Sequence, residues 1–586
     1  MRVTVEGGNM KTVPRSIVRG VGSFAIACAM SVPLSAQVKV EEQVVGPMNS
    51  VGFVVSPHGV HLASSTMQGS RYVMVVDGVE GPKFDEPPKP PVFSSDGKHF
   101  AYFGHQGGEY VVILDGKEIA RGPGTPIGTL SFTPTGKHFF YVEGNDKTGE
   151  KRFMMDGKAG PPTLQNLGAP VFSNDESRYA YALKKSGKPE TNIMVVDGKE
   201  VPYVGDHLSF SGDGKSIISM LQTIVKTSLQ IDGKPLPGLP STTPMGTTIQ
   251  RHVVSPVGVR VATIVQNTKG PTRVFLNDKP IVGVEDDRVL DFQFSPDGRR
   301  YAALCATRIG SQYVVIDGKR GQEYKGVDNL GFTPDSSKAF YTAVTGTGHN
   351  FVVVEDKESD AFQSLFGKPV VGGKGARIGF VGFNDRGLSV VVIDGAALPP
   401  RRPYVLQGNM LTFSADGSRY AFVAASNSRL GGYTLVVDGV EQAAAVYDRF
   451  QDEGNPYPPP SLLFSPDGKY IVYAGRSTDG KGGEGLWIND KLVFQASGQH
   501  LLRPSFSPDG QHVVWASIGK DHAIYLDGEE VMRFALSSLD GTPGTLELGS
   551  DGVLMFLAPA ESVIKRYRVT PSTNTSVAGL LAQGVK

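Results

Sequence analysis

Two short strings alternate down this 586-residue chain, and each returns about every 40 residues. The first is a turn set between apolar runs: FSSDGKHFAYFG (93–104), FSPDGRRYAALC (294–305), FSADGSRYAFVA (413–424), FSPDGKYIVYAG (464–475) and FSPDGQHVVWAS (506–517). The second comes roughly 20 residues later, as in YVVILDGKEI (110–119), NIMVVDGKEV (192–201), YVVIDGKRG (313–321) and YTLVVDGVEQ (433–442). In the first turn Pro fixes φ, Asp bonds its own backbone, and Gly supplies a positive φ. In the second, Asp-Gly between two apolar runs is a strong hairpin signal, because both residues tolerate φ > 0.

A tandem unit of this length with two hairpin turns reads as a β-propeller blade of three or four short antiparallel strands. Second turns, some degenerate, fall at Asp77, Asp115, Asp156, Asp197, Asp232, Asp278, Asp317, Asp356, Asp394, Asp438, Asp490 and Asp527, which makes twelve. A thirteenth first turn, LGSDGVLMFLAP (548–559), is followed by VIKRYRV (563–569) in place of a second Asp-Gly. Propellers typically close with about four to eight blades. The expectation is therefore an all-β chain of two tandem β-propellers, of about six and six-to-seven blades, each blade a small antiparallel meander. The boundary falls near 283–290, giving an N-terminal ring over 37–285, a C-terminal ring over 286–575, and a tail over 576–586. Six-plus-seven is the first choice; six-plus-six with a swapped or leftover terminal strand is the alternative. No stretch shows sustained helical periodicity.

The FSPDG…Y string with its following VVDGK strand resembles the WD-like propeller repeats of the TolB-like superfamily, over nearly all of residues 50–570. The resemblance implies a propeller and a bacterial envelope setting. Proteins of that group include binding scaffolds, propeller domains of prolyl-oligopeptidase-like peptidases, and some sugar-active lyases. Several units depart from the pattern, among them Thr133-Pro134-Thr135-Gly136, Asn174-Asp175-Glu176 and Asn384-Asp385-Arg386-Gly387.

Residues 1–36 read as a secretory signal, with translation starting at Met1 or Met10. Lys11, Arg15 and Arg19 form the basic region, Gly20 to Leu34 are apolar or small, and Ser35-Ala36 offers a cleavage site. Lipid attachment at Cys28 is the alternative. The expected location is periplasmic or secreted. After cleavage only Cys305 remains, so no intramolecular disulfide can form. Its strand, Tyr301 to Cys305, points to a buried apolar role. Formal net charge is zero, without the basic excess of a nucleic-acid groove, and no segment after the signal has the ~18 apolar residues of a membrane span.

Local motifs for chemistry are missing. There is no Gly-x-Ser-x-Gly elbow, His-Glu-x-x-His or Cys-x-x-Cys. Gly480-Lys481-Gly482-Gly483-Glu484-Gly485 matches a dinucleotide fingerprint by letters but joins two strands, so it reads as a loop. Aspartates such as Asp96, Asp297, Asp416, Asp467 and Asp509 lie on separate blades, too dispersed for one calcium site. His58 and His61, three apart around a turn, are a weak metal pair. No catalytic, metal or cofactor residue is assigned. The surface candidates are Arg401, Arg402 and Tyr404 in one Pro-rich segment and Tyr447, Arg449, Phe450 and Tyr457 in another, since guanidinium and aromatic groups anchor interfaces. These features favour a non-enzymatic scaffold that binds a protein or an envelope glycan. The rival is a polysaccharide lyase or hydrolase whose site is assembled at a channel mouth from several blades.

Overall fold

The computed structural model describes residues 39–583 apart from connecting segments, of which the longest are 237–246, 399–410, 443–461 and 536–545. The turns have the backbone that their residues favour. Asp115 and Gly116 sit at φ 49° and 77°, the pair of positive angles that a tight hairpin needs, and Asp77, Asp156, Asp197, Asp317, Asp438 and Asp527 with their following glycines repeat this within about ten degrees. First-turn glycines, Gly97, Gly298 and Gly468 among them, also have positive φ.

The strands assemble into thirteen antiparallel sheets, numbered here as blades 1 to 13: 51–84, 92–122, 125–159, 171–201, 206–235, 247–280, 288–320, 326–358, 364–397, 412–441, 463–495, 500–535, and 547–570 joined by Lys39–Pro47. First strands of neighbouring blades touch, as Val92–Phe93 does Thr125–Phe132 and Val171–Phe172 does Asp206–Phe210. They are therefore the inner strands, from which each blade fans outward.

The two-ring expectation is wrong: all thirteen blades form one ring. Each of thirteen apolar clusters bridges one pair of neighbours. Across the expected boundary, Ala262, Ile264 and Val274 of blade 6 pack with Phe292, Ala303 and Val315 of blade 7 in an uninterrupted core. Arg251 also reaches Asp291 over the same junction at 3.0 Å. Closure comes instead from the chain ends. Lys39–Pro47 pairs antiparallel with Val563–Thr570 as the fourth strand of blade 13. The repeat period gives twelve or thirteen units but carries no information on the wedge angle between them, and that angle sets the number in a ring.

The seam between blades 13 and 1 differs from the other interfaces. Its cluster holds only Val45, Leu62 and Leu557 as buried residues, and polar contacts supplement it. Arg566 pairs with Asp77, whose other carboxylate oxygen lies 2.6 Å from His61 Nδ1. Residues 577–583, expected as part of a tail, carry a short helix, Val577–Gln583. Its Val577 and Leu580 join the core shared by blades 11 and 12. Among the described residues, no helix is long and apolar enough to cross a membrane.

Candidate functional site: two faces and an inner wall

Chain direction gives the ring two unlike faces. In blades 1 to 12 the first turn (strands one to two) and the second turn (strands three to four) emerge on the same side. The connections between strands two and three, and from one blade to the next, emerge on the other.

The turn face is regular and internally satisfied. In eight of the first turns, the Asp carboxylate accepts from the Ser or Thr hydroxyl two residues earlier, at 2.6 Å for Ser94 to Asp96 and Ser414 to Asp416. These bonds hold the carboxyls of Asp96 and Asp416 down to about 2, the serine hydroxyl being the largest cause. This agrees with turn capping in place of calcium binding. Neighbouring turns rest on one another. The hydroxyl of Ser95 donates to the Pro134 carbonyl (2.5 Å), and the Thr135 amide donates to Glu176 (2.9 Å). A Cβ on Gly510 would stand 3.0 Å from Asp467 Oδ1.

A second motif ties the two turns together. The residue that opens the second strand, usually Arg or His, pairs with the Asp of its own blade's second turn. Examples are His99 with Asp115 (2.8 Å), Arg178 with Asp197 (3.0 Å), Arg377 with Asp394 (2.9 Å) and His512 with Asp527 (2.6 Å). The same Asp accepts the next backbone amide, as Asp115 does from Phe100 at 3.0 Å. Each Arg then crosses to the following blade. Arg419 donates to the carbonyls of Gly468 and Lys469 and stacks over Phe464. Blade 8 varies the device. Glu355 replaces the turn Asp and grips Arg300 of blade 7 with both oxygens, at 2.9 and 3.0 Å. His61 belongs to this set through Asp77, which answers half of the His58/His61 question; His58 lies outside the described residues.

In blades 1, 3, 5, 6, 7 and 8 the inner strand is interrupted. Register shifts occur at Val51/Val54, Ile127/Ser131, Asp206/Ser209, Ile249/Arg251, Val289/Asp291 and Asp328/Gly331. Bulges of this kind re-aim side chains and often border functional sites. Over blades 5 to 7 they gather polar groups. Ser209 Oγ lies 3.3 Å from His252 Nε2. Burial, and secondarily the nearby His207, depress the His252 imidazole. His207 sits in the blade 5 bulge at φ 57°. Next to them Asp291 takes Arg251 (3.0 Å) and Gln293 (3.0 Å). Among the described residues, no three His, Cys, Asp or Glu side chains cluster as a metal site. Cys305 is fully buried, and burial pushes its thiol up to about 12.

Arg401, Arg402, Tyr404, Tyr447, Arg449, Phe450 and Tyr457 all lie outside the described residues. Their segments follow Ala396–Ala397 and Val440–Glu441, fourth strands whose C-terminal ends are on the face away from the turns. The sequence reading missed the group at Ser209 and His252. Its signal was two histidines one repeat apart, each a few residues ahead of a first turn.

No family model matches the chain, and no curated protein is similar to it in sequence. Solved structures similar to it share little sequence with it. One is the propeller domain of the trilobed protease from Pyrococcus furiosus, described as having an open velcro topology, at 12% identity and a TM-score of 0.20, covering 47% of this chain and 94% of that one. Another is a eukaryotic initiation factor, at 15% identity and a TM-score of 0.26, covering 81% of this chain and 96% of that one. That the chain is a β-propeller rests on its own thirteen antiparallel blades.

Proposed function

We propose that this propeller is an exported binding scaffold, with no reaction of its own, whose ligand is a protein or an envelope glycan. The observation that carries this reading is the unlikeness of the two faces. Recurring charged residues of the repeat are absorbed into turns and interblade contacts on one face, while the connections free to vary in length leave from the other. Rigid scaffolds that present variable loops recognise ligands over many residues and need no compact motif. The Pro-rich segments with Arg401, Arg402 and Tyr404, and with Tyr447, Arg449, Phe450 and Tyr457, attach on that side and are the proposed contacts. Export rests on the character of residues 1–36.

The test uses the purified chain, a photo-crosslinker and envelope extract, comparing wild type with a deletion of residues 447–458. The deletion should abolish capture and leave the thermal transition nearly unchanged, since an outer connection contributes little to blade cores. Capture that survives the deletion moves the contact elsewhere. The inner-wall polar group keeps the enzyme reading in view. Glycan or peptide turnover by the purified protein, lost on Ser209→Ala, would replace the scaffold reading.

A further inference from the structure

We propose that the short helix Val577–Gln583 is a proton-controlled latch, seated over blades 11 and 12 while His512 is protonated and released when His512 is neutral. This is independent of the scaffold reading. Three observations carry it.

First, the helix closes over the turns of blade 12. Val577 and Leu580, each 1% exposed, join the apolar cluster that holds Val493, Phe494, Phe506 and Trp515. The Val577 amide donates to the Gln511 carbonyl in the first turn, at 2.8 Å. Leu580 rests on the second turn, where a Cβ on Gly528 would stand 2.5 Å from its Cδ1. Lys491 of blade 11 donates to the Leu581 carbonyl near the other end of the helix.

Second, the helix covers an ion pair that other blades leave in water. The second-turn aspartates Asp115, Asp156, Asp197, Asp317, Asp394 and Asp438 have side chains 35 to 43% exposed. The Asp527 side chain is 0% exposed, and its partner His512 is 15% exposed. One Asp527 oxygen accepts the Val513 amide (2.8 Å), and the other faces His512 Nδ1 (2.6 Å). A carboxylate taken out of water is costly unless a cation pairs with it. His512 supplies that cation, so seating the helix favours the charged ring.

Third, the titratable groups facing His512 all act in one direction. Asp509 comes from its own first turn, Asp527 from its second turn, and Asp551 from the first turn of blade 13. A Cβ on Gly552 would meet His512 at 2.6 Å and Pro571 at 2.9 Å, so the segment leading to the helix runs beside the same ring. Neither Pro571 nor residues 577–583 bring a titratable side chain. The bond to Asp527 is the largest cause that raises the imidazole above its ordinary 6.5, against the opposing effect of burial. Docking is therefore strongest below pH ~6.5 and weakens as pH climbs through the raised value. Above it the covered carboxylate faces a neutral ring, and undocking returns it to water.

The experiment follows native-state hydrogen exchange in the full chain from about pH 5 to 9, corrected for intrinsic rates. Protection of the Val577 and Leu580 amides, bonded to Gln511 and Ser576, should fall at least about fivefold over that range. Its midpoint should match that of Val513–Ile518, while Tyr301–Ala306 in blade 7 holds steady. Asp527→Asn tolerates the positive φ and leaves no charge to cover, so it should keep the helix docked at every pH. His512→Gln should lower protection at acid pH to the level that the wild type shows at alkaline pH. Wild-type helix protection that ignores pH, or a pH response that survives Asp527→Asn, overturns the proposal. If a variant does not fold, the wild type decides alone: a shared midpoint for the helix and Val513–Ile518 supports the latch, and separate midpoints refute it.

Discussion

Removing the Arg300 guanidinium measures what the interblade contacts contribute. Its Nε donates to Asp317 (2.8 Å), Nη1 to the Ser337 carbonyl (2.8 Å), and both terminal nitrogens to Glu355. The group also lies 5.7 Å above the Phe332 ring. Charge-assisted hydrogen bonds reach ~1.5–3 kcal/mol each when buried. Here the side chains are 24%, 39% and 37% exposed for Arg300, Asp317 and Glu355, so solvent reduces each ion pair to about 0.5–1 kcal/mol. Stacking adds about 0.5–1 kcal/mol. Arg300→Ala should therefore cost about 2–3 kcal/mol, and Arg300→Lys about half of that, since lysine keeps the charge and loses the fork. A ring of stacked repeats does not unfold in two states, so a single unfolding free energy is the wrong readout. Native-state hydrogen exchange at Tyr301–Ala306 and Ala339–Val344 is the right one. Exchange in both strands should accelerate roughly 30- to 150-fold, while remote blades stay unchanged. An acceleration below about threefold in both strands would falsify the idea that this contact joins blades 7 and 8.

Three further outcomes follow from the fold. Gly116→Val should destabilise blade 2 by about 1–2 kcal/mol, read as faster native-state hydrogen exchange in Glu109–Leu114; nothing lies within 4 Å of the added Cβ, so the whole effect is backbone strain at φ 77°, and unchanged exchange in that strand would contradict it. Cys305 should resist thiol reagents in the native protein and react after denaturation; labelling of native protein at the rate of a free thiol would contradict its burial. The His512 imidazole is raised above its ordinary 6.5, chiefly by its bond to Asp527. Its stabilisation is thus complete below pH ~6.5 and lost as pH climbs through the raised value. Exchange protection of Val513–Ile518, corrected for intrinsic rates, should fall over that window in the wild type and stay flat in His512→Gln.

Much of the blade was legible because turn chemistry is local. Asp-Gly at 115–116 names its own backbone angles, and Ser94 and Asp96 are two residues apart. A count of twelve or thirteen units was legible for the same reason. Ring number was not, because it depends on how Ala303 or Val315 seats against Val274 in the next blade, and no single unit encodes that angle. The second-turn aspartates were read as hairpin formers only. Their other role, gripping the Arg or His that opens the second strand, needs a partner some 15 to 19 residues away. The contact of Ser209 with His252 was missed for a similar reason, since it exists only once blades 5 and 6 are side by side.

The pairing of Lys39–Pro47 with Val563–Thr570 also sets a timetable. Glu42 and its partner Lys565 are 523 residues apart. At ~5–20 residues per second, a ribosome needs roughly 25–100 s to supply the second after the first. Blades can stack one on another throughout that interval, as repeats do, while the earliest strand waits as an unpaired edge open to any stray strand. A stop codon just before Val563 would therefore remove few residues and all of the closure. It would leave twelve stacked blades with two sticky ends, a substrate for proteolysis or for pairing with a second truncated chain.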